Sequence, residues 1–163
     1  MRINSTRNHV FLLLVGLMVL PSAVKAAVPT AQEVRAAIDA IEKDPVAAAK
    51  TDHPKTVMTF AEESPDVMII LDREVIPTWG NTTDPHAPLL NAAFVAGNVK
   101  SQLDSKKNKD DSYAGLQSLF NAYHAIQASE KDYKVDAIDK LEALDKEGKL
   151  KEKVEQVQKK HGQ

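Results

Sequence analysis

The sequence predicts an all-α protein: a single compact helical domain of six or seven helices, arranged as packed αα-hairpins in a bundle or a short solenoid-like array, behind a cleaved signal peptide. Three observations predict it. Apolar residues recur every three to four positions in segment after segment. Pairs such as Asp44-Pro45, Ser64-Pro65 and Asp84-Pro85 punctuate those segments where helices start or stop. Only seven aromatic residues follow position 26, so alanine, leucine, valine and isoleucine must fill the core, a composition that favours helix.

The first 26 residues are set aside before any fold reasoning. Arg2 and Arg7 form a positive start, and Val10–Leu20 is an uncharged apolar run. Pro21 and Ser22 break that run, and Val24-Lys25-Ala26 suits cleavage after Ala26. The run is shorter than the roughly 18 to 20 residues that span a bilayer, so a signal peptide is expected rather than an anchor. The chain has no cysteine, hence no thiol for a lipid, a disulfide or a metal. The expected mature domain is 27–163, without a membrane anchor.

Helices are then expected in order. Thr30-Ala31-Gln32-Glu33 matches a capping box, and Val34, Ala37, Ile38 and Ile41 give the following helix one apolar face. Asp44-Pro45 restarts the chain as a short second helix, Val46 to Lys50, closed by Thr51-Asp52-His53-Pro54. A third helix carries Val57, Phe60 and Ala61. The stretch Asp66–Ile76 is ambiguous because its five consecutive apolar residues suit a buried strand or a buried helix. A helix is the expectation, since a lone strand would have no neighbour to pair with. Trp79 follows in a loop.

The organising stretch is Asp84–Ala128. Asp84-Pro85 suits a helix opening; Leu90, Phe94 and Gly97 form a stripe, and Ala92, Ala93, Ala96 and Gly97 leave room for a close helical neighbour. Ser105–Asp111 reads as a solvated charged loop. Leu116, Leu119, Phe120, Tyr123 and Ile126 carry the return helix. Val135–Leu144 forms another helix. Acids four residues ahead of bases are expected to pair along the C-terminal surface: Asp136 with Lys140, Glu142 with Lys146, Glu147 with Lys151 and Glu155 with Lys159. The charged last helix, about 149–160, is expected to fray. The Trp, Gly, Tyr and Pro landmarks of a tetratricopeptide repeat do not recur.

Composition narrows function mainly by exclusion. Removing residues 1–26 takes away three bases and no acid, which leaves 18 basic residues against 23 acidic ones, a net charge of −5. Nucleic acid and anionic membranes both require a positive surface, so neither is an expected partner. No P-loop, G-x-G-x-x-G, G-x-S-x-G, H-E-x-x-H or EF-hand loop occurs. No catalytic residue and no cofactor is assigned. His53 and His86, each close to an aspartate and a proline in a turn, are the weak metal candidates, with helix capping as the plainer role for such turns. Trp79 is the weak partner-binding candidate, because aromatic residues lead interface hot spots, although a loop tryptophan more often tucks over a helical core. The expectation is an exported binding module for an envelope protein or peptide. The short signal and the lack of disulfides favour the periplasm of a Gram-negative bacterium over the extracellular medium. The rival readings are a small metal-binding protein or enzyme whose histidines and carboxylates converge only in the fold, and an oligomer joined through the C-terminal helix.

Overall fold

A computed structural model describes residues 27–76 and 84–162. The expected signal peptide and Trp79 lie outside the described residues. Among the described residues there are seven helices and no strand: α1 (Ala31–Lys43), α2 (Pro45–Ala48), α3 (His53–Glu63), α4 (Ala87–Ser105), α5 (Ser112–Ser129), α6 (Asp136–Lys146) and α7 (Leu150–Lys160). No helix among them is long and apolar enough to cross a membrane.

Local chemistry accounts for the helix starts. The capping box at Thr30 is complete: its hydroxyl accepts the Glu33 N–H at 3.2 Å, and the Glu33 carboxylate accepts the Thr30 N–H at 2.7 Å. Asp44 caps α2 by accepting the Ala47 N–H at 3.0 Å. Asp111 caps α5 by accepting the Ala114 N–H at 3.0 Å. The opening of α4 differs from expectation. Asp84 turns its carboxylate onto the His86 N–H at 2.8 Å, forming a turn ahead of the helix, and the proline inside the first turn is Pro88 rather than Pro85. The loop to α5 begins with Lys106 at φ 55°, a left-handed C-cap that a side-chain-bearing residue rarely adopts.

The core forms around α4 and α5, which make the most extensive helix contact in the molecule. Small residues set their separation. A Cβ added to Gly97 would meet the Ala114 carbonyl oxygen at 2.4 Å, and one added to Gly115 would meet the Phe94 ring at 2.7 Å. Backbone therefore lies against side chain and backbone with no space for a methyl. Phe94, Leu90, Leu116, Leu119 and Ile126 are buried in this layer. Val34, Ala37, Ile38 and Ile41 of α1, with Val57 and Phe60 of α3, pack on it from one direction. Leu150, Val154 and Val157 of α7 are buried too, so its thin apolar stripe belongs to the core.

Asp66–Ile76 is not a helix. After the turn at Pro65-Asp66 the chain runs without regular structure to a turn at Arg73–Val75, held from the side by the polar groups described below. The expected ion pairs along α6 and α7 do not form either. Asp136 pairs with Lys134 at 3.0 Å, Glu147 with Lys149 at 2.8 Å, and the Glu142 carboxylate lies 2.7 Å from His124 Nε2. Exposed helical pairs contribute only a few tenths of a kcal/mol, too little to fix these side chains, and Asp136 and Glu147 take the neighbouring lysines Lys134 and Lys149 instead.

Candidate partner-binding face

The loop between α4 and α5 was expected to be solvated throughout, yet Asp110 is 3% exposed. Its carboxylate is the hub of a buried network. Oδ1 accepts from Asn98 Nδ2 at 2.7 Å and from the Ile70 N–H at 2.9 Å. Oδ2 accepts from the Ser112 N–H at 3.1 Å, the Ser112 hydroxyl at 2.6 Å and Gln158 Nε2 at 3.0 Å. Five donors and no cation satisfy the charge, the arrangement that makes a buried carboxylate tolerable. Asn98 Oδ1 in turn accepts from Gln102 Nε2 at 2.7 Å and from the Asp111 N–H at 2.9 Å. One cluster thus ties α4, the loop, α5 and α7 together.

That cluster also fixes the course of Asp66–Ile76. Gln102 Oε1 accepts the Met68 N–H at 2.9 Å, and Gln102 Nε2 donates to the Met68 carbonyl at 2.8 Å. Asn108 Nδ2 donates to the Pro65 carbonyl at 2.6 Å. At the far end His161 Nε2 lies 2.8 Å from Asp72 Oδ2, and Lys160 Nζ reaches Glu74 at 2.9 Å. The hydrogen bond from His161, with the Glu74 N–H, holds the Asp72 carboxyl below the usual carboxylate range. Val67 and Val75 are buried as anchors.

Between these anchors the segment exposes apolar surface: Leu71 is 68% exposed and Met68 44%. Leaving a leucine in water forgoes roughly 1.5 to 3 kcal/mol of burial. Arg73 and Glu74 then border a cleft of about 610 Å³ against α6 and α7, whose apolar lining is Ala137, Leu141 and Leu144 and whose rim includes Lys140 and Lys153. A second recess, about 480 Å³, opens beside Asp110 among Lys107, Lys109, Lys151 and Lys159.

His53 opens α3, its backbone N–H donating to Thr51 Oγ1 at 3.2 Å. His86 precedes α4, with Nε2 3.1 Å from Glu130 and its ring edge-on to Tyr133 at 4.8 Å. Tyr133 donates to Asp84 at 2.8 Å, and burial, with the Asp84 acceptor, pushes its phenol well above the ordinary tyrosine range. Nearby Tyr123 is fully buried; its hydroxyl donates to Asp139 and accepts the Val135 N–H, both at 2.9 Å. Burial pushes its phenol up to about 12. Among the described residues no group of three or more histidine, aspartate or glutamate side chains is placed to hold a metal ion.

The residues that shape the candidate face are Gln102, Asp110 and Leu71, none of which the sequence assigned to a site. The apolar run beside turn residues was the available signal for Leu71. The fold and the face define a class no finer than an all-α protein with an exposed non-helical segment. The chain has no match among protein-family models, and no significant match among curated proteins or solved structures.

Proposed function

We propose that this chain is an exported binding module, working in the periplasm, that takes a protein or peptide partner on the face formed by Asp66–Ile76 and the adjoining α6–α7 cleft. We read the helices as stacked hairpins in which α4 and α5 are the scaffold. The observation that carries the functional reading is the exposure of Leu71 and Met68 on a segment clamped at both ends. Exposed apolar surface held rigid beside a cleft is what a partner site offers, because little ordering entropy remains to be lost on binding. The oligomer reading has less support, since the apolar stripe of α7 is already occupied by its own core.

The test is site-specific photocrosslinking in cells. A photoreactive amino acid at Leu71 or at Leu144 is expected to give the same partner adduct, with none from Lys50 on the opposite part of the sequence. Absence of any adduct from Leu71 and Leu144, or equal labelling from Lys50, overturns the proposal.

A further inference from the structure

We propose that Val67–Leu71 receives an extended peptide segment of a partner protein by strand addition, with hydrogen bonds made along its outer backbone edge. This rests on the binding-module reading and specifies its chemistry. The inner edge is already paired as a strand would be. The Gln102 carboxamide accepts the Met68 N–H and donates to the Met68 carbonyl, the two bonds that the N–H and C=O of a facing residue make in a hydrogen-bonded antiparallel pair. Two residues on, Asp110 accepts the Ile70 N–H. Alternate residues thus present their backbone groups to one side, which is the period of an extended strand. The N–H and C=O groups of Ile69 and Leu71 belong to the other side, where Ile69 is half-buried and Leu71 exposed, while Val67 is buried at the head of the edge. None of them has a hydrogen bond among the described residues.

An unpaired edge attracts any extended chain, and charge selects which. A second copy fits poorly. Two-fold antiparallel pairing about Ile69 sets Asp66 across from Asp72, and pairing about Ile70 sets Asp66 across from Glu74. Like charges directly opposed oppose these two registers. Pairing about Met68 sets Pro65, which has no N–H and whose carbonyl already accepts from Asn108, across from Leu71, and pairing about Leu71 runs into the turn at Arg73–Val75. Asp72 and Glu74 already have His161 and Lys160, whereas the exposed Asp66 carboxylate has no ion-pair partner among the described residues. The occupant is therefore a foreign segment with alternating apolar residues and a lysine or arginine set against Asp66. Continuing beyond Leu71, it would meet Arg73 and the apolar floor of the α6–α7 cleft.

The probe is a synthetic peptide of alternating valine and threonine with a lysine at each end, added to isotope-labelled protein and followed by amide exchange in NMR. Without peptide, the Met68 and Ile70 amides exchange slowly and those of Ile69 and Leu71 quickly. With peptide, Ile69 and Leu71 slow by at least roughly tenfold. N-methylation of the probe at alternate residues abolishes binding in one phase and leaves it unchanged in the other. Asp66→Lys reverses the preference to a glutamate-ended probe. Binding without protection at Ile69 and Leu71 overturns strand addition while leaving the binding reading intact, and the crosslinking result judges that reading separately. Failure of the probe to bind at all overturns the proposal. So does slow exchange at Ile69 and Leu71 before any peptide is added, which assigns the edge to the protein's own chain if the mass is monomeric and to a second copy if it is dimeric.

Discussion

Gly97 shows how one atom decides the sign of a substitution. In an ordinary exposed helix Gly→Ala stabilises by about 1 kcal/mol. Here the new methyl would lie 2.4 Å from the Ala114 carbonyl oxygen, a backbone atom that cannot rotate away. Gly97→Ala is expected to destabilise by about 1 to 3 kcal/mol, measured by urea unfolding, because the helices must separate. Asp110 is the second sensitive position. Asp110→Ala strands several buried donors that now share one carboxylate, and the expected loss is at least about 3 kcal/mol. An unchanged urea midpoint would mean that water replaces the carboxylate. Read along the sequence, Asp110 is one of seven polar residues in a loop, and nothing there distinguishes it from Asp111. The difference arises because Asp111 caps α5 while Asp110 turns inward to groups 12, 40 and 48 residues away.

Among the elements, those governed by nearby residues were legible. The capping box of α1, its stripe of Val34, Ala37, Ile38 and Ile41, and the small-residue contact of α4 with α5 all follow from spacing. Asp66–Ile76 was not legible, since the argument against an extended course assumed that only another strand could pair with it. Side chains do so instead, and Gln102 lies 34 residues from Met68. The start of α4 failed for a related reason: Asp84 had a closer donor in the His86 N–H than any in the helix. The same geometry predicts the outcome of Gln102→Leu. Amide exchange at Met68 should accelerate sharply while the α5 amides keep their protection. Equal acceleration throughout α5 would show instead that the substitution disrupts the scaffold.

At the scale of the whole molecule, stability should fail from the alkaline side in a recognisable way. Unfolded tyrosine ionises near pH 10, whereas folded Tyr123 holds its proton up to about 12. The raised value contributes stability that is fully present below pH 10 and is lost as pH rises towards 12, because unfolding then releases a proton. Tyr133 adds in the same direction. In a Tyr113→Phe variant, which removes the half-buried third tyrosine, phenolate absorbance and helical circular dichroism, followed together against pH, are expected to change in one transition. Phenolate forming while the helices remain intact would contradict the burial of these hydroxyls.

The clasp on Asp66–Ile76 has a consequence for the order in which the molecule assembles. Its bonds to Gln102 and Asp110 join positions 34 and 40 residues apart, so they cannot form until α4, its loop and α5 have come together. The segment is therefore seated only after that part of the scaffold, and a partly folded chain does not yet present a ready-made edge to its neighbours. In refolding experiments the helical signal should recover before the Met68 and Ile70 amides gain protection, placing the clasp after the helices in the order of folding.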